Sequence, residues 1–221
     1  MTDITVYRVR GDLQYGEVFP DSDKVSILDL SEISKEEWRN FSYKIKKFTV
    51  DVNIISFVSS DFIIDKKSYN ILSPGLQSCG DLLPVQLAER IYWWFRCNDK
   101  YYDFIIEEEL EGKCISEHEY WYSIKKYVFD LKKLENAPLI FQCKQKMTAM
   151  FCTDRLKNLA EENGLVGFSF EPLWNSREGG LKLEDIPVVG PEAIEAGKKL
   201  EMQWKQNAQK YGLLKEALKE K

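Results

Sequence analysis

Short apolar stretches rich in β-branched and aromatic residues open the chain, and they predict strands. Ile4 to Val9 and Val25 to Leu30 are two such runs, and Gly11 and Gly16 between them predict turns. Residues 50–54 then alternate between apolar and polar side chains, as a half-buried strand does. The first quarter of the chain therefore favours a sheet.

A different spacing follows the predicted loop at residues 73–75. From Pro84 onward the apolar residues recur at helical spacing, which predicts an amphipathic helix through residue 95; its apolar face comprises Leu87, Ala88, Ile91, Trp94 and Phe95. Trp93 falls on the opposite, polar face of that helix. An exposed tryptophan is typical of a binding anchor, so Trp93 is a candidate partner-binding residue.

The second half of the chain returns to strand patterns around one further helix. Tyr101 to Ile106 alternates as a strand and runs into an acidic stretch, and Phe168 to Phe170 predicts the last strand. Between them, a helix is predicted to begin after Thr153 as N-cap and to end at Gly164, a glycine suited to the left-handed conformation. The order of elements predicts an α+β fold, with a mainly antiparallel sheet and flanking helices.

The last fifth of the chain predicts a separate element. Residues 175–190 are polar and contain glycine, which is typical of a linker, and Pro191 is a good first residue for a long C-terminal helix over 191–221. Leu200, Trp204, Ala208 and neighbouring positions form a narrow apolar stripe on that helix. The predicted domains are thus 1–174, the linker, and a helix that packs on the main domain, binds a partner through Trp204, or forms a homodimer.

Composition narrows the classes of function. The chain has 221 residues, of which 44% are hydrophobic, enough for a sizeable core, and its net charge is −5. An acidic chain without a basic run is a poor match for a phosphate backbone, so we expect no nucleic-acid partner. No signal peptide and no apolar run near 20 residues are visible, so no membrane partner is expected either. Five scattered cysteines then indicate reduced thiols and a cytoplasmic location.

Residues that could carry metal or catalytic chemistry are few. Cys114 and His118, four residues apart, could share a zinc ion, but the remaining cysteines lack ligand spacing, and His118 is the only histidine. No phosphate-binding glycine loop or nucleophile elbow is present. We therefore predict no cofactor, no metal site and no catalytic residues.

An acidic group in the centre of the chain allows three interpretations. Its carboxylates could hold a metal ion for hydrolysis, could form a solvated sheet margin, or could form a patch that docks a basic partner. Consecutive glutamates on a strand or turn point in alternating directions and do not converge on one ion, which disfavours the first interpretation. The group comprises Asp103, Glu107, Glu108, Glu109, Glu111, Glu117 and Glu119, and the neighbouring aromatic candidates for a binding surface are Tyr120 and Trp121.

A succession of short motifs over residues 55–174 resembles a known family. The motifs are Ser60-Asp61-Phe62, Gly80 to Pro84, Tyr101 to Phe104, Ile124 to Asp130, Ile140-Phe141, Met150 to Asp154, Glu162 to Phe170, and Trp174. In this order they resemble the MXAN-type immunity proteins of bacterial polymorphic toxin systems. The resemblance implies neutralisation of a cognate toxin by direct binding, with no reaction catalysed by the chain itself.

Three functions thus stand as hypotheses. The first is an immunity protein that covers a toxin domain with its acidic residues and nearby aromatic side chains. The second is a carboxylate-dependent metal hydrolase that uses Asp103 and the glutamates after it. The third is an adaptor protein that dimerises through the C-terminal helix.

Overall fold

The computed structural model of the chain consists mainly of β-strands. It describes residues 3–21, 34, 38, 42–48, 52–58, 61–98, 100–115 and 120–181. The strands in these ranges are β1 (Thr5–Gly11), β2 (Gly16–Pro20), β3 (Tyr43–Phe48), β4 (Ile54–Phe57), β5 (Asp61–Ile64), β6 (Gly80–Leu87), β7 (Arg90–Cys97), β8 (Tyr101–Tyr102), β9 (Glu111–Ile115), β10 (Tyr120–Lys126), β11 (Phe141–Cys143), β12 (Lys146–Thr153), β13 (Phe168–Asn175) and β14 (Gly179–Gly180). The same ranges contain three short α-helices, α1 (Lys66–Leu76), α2 (Leu131–Leu134) and α3 (Asp154–Glu162).

These strands form two six-stranded sheets and one separate hairpin. The first sheet has the order β14-β13-β1-β12-β11-β8, and the second has the order β3-β2-β4-β5-β7-β6. Neighbours pair antiparallel except β8 with β11 in the first sheet and β2 with β4 in the second. The hairpin joins β9 and β10, which pair only with each other among the described strands.

The main core lies between the two sheets. Val9 of the first sheet and Phe62 of the second meet there, and α1 and α3 add Leu72 and Leu156 from their buried faces. A second cluster covers the other face of the second sheet, where Trp38 stacks near Trp94 with ring centroids 4.7 Å apart. Burial of this much apolar surface is the main stabilising contribution to the fold.

The predicted α+β fold class is wrong, and the segment from Pro84 to Phe95 shows why. This segment forms the hairpin of β6 and β7 around the two-residue loop of Ala88 and Glu89, not a helix. Val85 and Leu87 are buried while Pro84 and Gln86 are exposed, which is the period-two alternation of a strand. The apolar residues fit both spacings over so short a run, and tertiary packing decides between them.

Several local predictions are confirmed. The first predicted strand is β1, and the last is the beginning of β13. Helix α3 begins after Thr153, whose side chain accepts a hydrogen bond from the backbone N–H of Arg155, and Gly164 follows its end with φ +58. The predicted loop at 73–75 is wrong, because these residues lie in the last turns of α1, with Pro74 inside the helix.

Other predictions concern residues with little or no described structure. The C-terminal helix over 191–221, with Trp204, lies outside the described residues, as does the strand at Val25 to Leu30. The first part of the predicted linker is described, and there Asn175 pairs with Gly179 in the hairpin of β13 and β14. Within the described ranges, no helix has the length and apolar character required to span a bilayer.

Candidate functional site

The acidic run lies on a single 3-10 turn, Glu107–Glu109, which we call the acidic turn. The buried side chains of Ile105 and Leu110 fix its two ends in the protein interior. The backbone N–H of Leu110 donates to the carbonyl of Glu107 across the turn, at 3.1 Å. Because a 3-10 turn has about three residues per turn, its glutamates do not alternate between two sheet faces.

Glu107 is held in place by two hydrogen bonds. Trp121 Nε1 donates to Oε1 and Gln145 Nε2 donates to Oε2, each at 3.3 Å. Gln145 is only 4% exposed, and its backbone carbonyl accepts a hydrogen bond from the backbone N–H of Trp121. The structure therefore brings together two predicted site residues, Glu107 and Trp121, and uses Glu107 to attach the acidic turn to the strands beneath it.

Two further acidic candidates form ion pairs at the surface. The Lys126 ammonium lies 3.1 Å from a carboxylate oxygen of Glu111, across the hairpin of β9 and β10. The Lys133 ammonium lies 3.3 Å from a carboxylate oxygen of Asp103 and also donates to its backbone carbonyl. Each of these carboxylates already has a cation beside it, so its charge is partly neutralised before any partner arrives.

Glu108 and Glu109, the other two residues of the acidic turn, differ from these paired carboxylates. Both side chains are exposed, and neither forms a hydrogen bond or an ion pair with any residue in the described ranges. We call these two residues the free acidic pair. Their position next to the fixed Glu107 places two unneutralised charges on a well-anchored surface.

The remaining predicted site residues do not extend this surface. Trp93 lies on β7 of the second sheet, where its ring packs on Tyr69 with centroids 4.4 Å apart, so it is a partly buried packing residue. Tyr120 begins β10 opposite Ile115, but its side chain lies outside the described part of the structure. The position of Trp93 follows directly from the wrong helix prediction, since a helix would have turned it away from α1.

A cavity that the sequence analysis missed lies at one end of the second sheet. It has a volume of about 470 Å³ and is lined by residues before β4 (Val52, Asn53), residues after β5 (Asp65, Lys66) and the start of β7 (Arg90 to Tyr92). We call it the notch. Its residues are far apart in the sequence, so only recognition of the β6–β7 hairpin could have suggested it.

One buried carboxyl also lies in the second sheet. Asp61, at the start of β5, accepts a hydrogen bond from Trp94 Nε1 at 3.0 Å, and burial raises the pKa of this carboxyl to about 6. Within the described ranges, its side-chain hydrogen-bond partner is the indole of a core tryptophan. This arrangement anchors the aromatic cluster on that face of the sheet and, by itself, supplies no second acid–base group for catalysis.

The described residues do not group into a metal site. No three histidine, cysteine, aspartate or glutamate side chains within the described ranges lie close enough to hold an ion. The side chains of Cys114, Glu117, His118 and Glu119 lie outside those ranges. Asp103 and Glu111 instead contact lysines, and Glu107 contacts an indole and an amide.

Comparison of the chain with known protein families and curated sequences found no match. No protein-family model matches the chain, and no curated protein sequence matches it. The resemblance to MXAN-type immunity proteins therefore stays a prediction from the motifs alone.

Proposed function

We propose that this chain is an immunity protein, which neutralises a cognate bacterial toxin in the cytoplasm by direct binding and catalyses no reaction itself. The motif succession over residues 55–174 supports the class, and the acidic turn supports the mode of binding. The toxin surface that this turn fits is basic, because complementary charge both steers association and selects the partner.

The observation that carries the proposal is the free acidic pair. A glutamate that already has a cation or hydrogen-bond donors gains little from a second partner, whereas Glu108 and Glu109 retain their full charge for a partner. Glu107 keeps the turn in one position through Trp121 and Gln145, so little conformational entropy is lost when the turn binds. The site therefore combines available charge with a fixed backbone.

The thiols fit the proposed location. Cys79, Cys143 and Cys152 are free thiols, and Cys143 and Cys152 are buried within the first sheet. Burial raises the pKa of both thiols, so they remain protonated and unreactive. Reduced thiols of this kind are typical of cytoplasmic proteins.

The first experiment is co-expression of the chain with the product of the neighbouring gene, followed by a pull-down and a growth assay. We expect a stable complex and restored growth. The variant Glu108→Lys/Glu109→Lys should then slow association by about tenfold and reduce its dependence on salt, because steering by these charges is lost.

The matched control is Glu161→Lys/Glu162→Lys. These residues are two adjacent exposed glutamates at the end of α3, and the control changes the net charge by the same amount. Equal slowing by both double variants would show that only net charge matters and would remove the acidic turn from the interface. Absence of binding and of growth rescue would contradict the immunity proposal as a whole.

A further inference from the structure

The second sheet contains an interrupted ladder at the notch. Strand β5 pairs with β7 only through Ile63 with Trp94 and Ile64 with Trp93. The chain then leaves the sheet, because Asp65 caps α1 with its side chain. The first residues of β7 continue past this point, and among the described strands they pair only with β6.

The backbone of Ile91 is the part of β7 left without a ladder neighbour. Leu87 and Arg90 flank a two-residue hairpin loop, so they exchange the hydrogen bonds nearest the turn. In an antiparallel ladder the next residue points its N–H and C=O to the opposite side, and for Ile91 that side is the notch. No hydrogen bond to these two groups is present within the described part of the chain. An unpaired donor and acceptor on a strand edge is a template for one more strand.

Two cations line the same cavity without an acidic partner. The Lys66 ammonium lies over the rings of Tyr69 and Trp93, at 4.9 and 5.3 Å from their centroids, and forms no ion pair with a described residue. Arg90 is exposed at the hairpin loop and likewise has no described carboxylate beside it. In a chain of net charge −5, two unpaired cations at one cavity form a local positive surface.

The single acid in the lining, Asp65, forms no ion pair with these cations. Asp65 Oδ1 caps α1 by accepting from the backbone N–H of Ser68 at 2.8 Å, and Oδ2 accepts from Asn53 Nδ2 at 2.9 Å. The helix N-terminus is therefore occupied by its own cap and is not the feature that would take a ligand. Ile91, with 51% of its surface exposed, adds an apolar contact beside the cations.

We propose that the notch binds an extended acidic segment of a partner protein, which adds as a short strand beside Ile91. Main-chain hydrogen bonds to Ile91 fix the direction of the segment, and its carboxylates pair with Lys66 and Arg90. A volume of about 470 Å³ accommodates the side chains of a few residues. This inference is independent of the immunity proposal, because it concerns a different sheet and a surface of the opposite charge.

The test uses nuclear magnetic resonance of the full chain, titrated with a short acetylated peptide that alternates glutamate with valine. We expect amide shifts at Ile91 and at its neighbours in the notch. A peptide with glutamine in place of glutamate should bind about tenfold more weakly, because the two charge pairs are lost. A glutamate–valine peptide N-methylated at alternate amides should lose binding, because it cannot donate to the strand edge.

Variants of the chain test whether the peptide binds at the notch. Lys66→Glu/Arg90→Glu should abolish the shifts, whereas Lys132→Glu/Lys144→Glu, with the same charge change at other exposed lysines, should preserve them. The amide spectrum checks the fold of each variant, and Arg90→Gln replaces the double variant if that variant unfolds. Three results would overturn the proposal: no binding of the acidic peptide, equal binding of the glutamine peptide, or equal shifts with free glutamate.

Discussion

Charged side chains near the two sheets differ in sign and in whether they have a partner of opposite charge. Beside the first sheet, Glu107 accepts hydrogen bonds from Trp121 and Gln145, and the nearby Glu111 pairs with a lysine, whereas the free acidic pair has no partner in the described ranges. At the end of the second sheet, Lys66 and Arg90 have no acidic partner in the described ranges. A cluster of like charges in sequence is thus a poor guide to available charge, because neighbouring members differ in their contacts.

The largest expected effect concerns the carboxyl group of Asp61 in the second sheet. Because the folded-state pKa of Asp61 is raised to about 6 from an ordinary value of 3.8, the folded state binds its proton more tightly. The contribution of Asp61 to stability is therefore greatest below about pH 4 and is lost as the pH rises through about 6. Asp61→Asn should increase the free energy of unfolding at pH 7 by up to about 3 kcal/mol.

Denaturant unfolding of both proteins between pH 4 and pH 7 checks this expectation. The asparagine Oδ1 can still accept from Trp94 Nε1, so the variant removes the charge and keeps the hydrogen bond. The difference between the two proteins should grow as pH rises. A constant difference across the range would show that Asp61 ionises normally.

An effect of intermediate size on stability is expected to distinguish Glu107 from the free acidic pair. Glu107→Ala should lower the free energy of unfolding by about 1–2 kcal/mol, because the Trp121 indole and the Gln145 amide lose their acceptor. Glu108→Ala and Glu109→Ala should each change it by less than about 0.5 kcal/mol, since both side chains are exposed and unpaired. Equal losses for the three variants, measured by chemical unfolding, would end the distinction between anchoring and available glutamates.

The smallest effect concerns the paired surface charges. Lys126→Gln removes the ion pair with Glu111 and should cost less than about 1 kcal/mol, and salt should reduce that cost further, because solvent screens exposed pairs. The same substitution leaves Glu111 unneutralised and should increase the rate of association with a basic toxin. Stopped-flow association rates with the cognate toxin at low and high salt measure this increase, and an unchanged rate would place Glu111 outside the interface.

Local sequence signals were sufficient to predict structural features that a single residue determines. Thr153 and Gly164 correctly predicted the two ends of α3, because a side-chain cap and a left-handed glycine act within one helical turn. The acidic turn is visible in the sequence only as three consecutive glutamates. Its division into an anchoring glutamate and a free pair depends on Gln145, which lies 38 residues away from Glu107 and therefore gives no local signal.

Longer patterns failed where two periods fit the same residues. The apolar residues from Pro84 to Phe95 fit the spacing of a helix and the spacing of two strands almost equally. The strands form because Ile63 and Ile64 of β5 pair with β7. The notch was missed for a related reason, because Lys66 and Arg90 share a cavity only once that hairpin exists.

Local sequence signals were enough to predict both ends of α3 and the first and last strands. Tertiary packing makes the chain mainly β, separates the anchoring Glu107 from the free acidic pair, and brings Lys66 and Arg90 to the edge of β7. These properties depend on pairing between distant strands, and the hydrogen bonds and burial that select such pairing are absent from any local stretch of the chain.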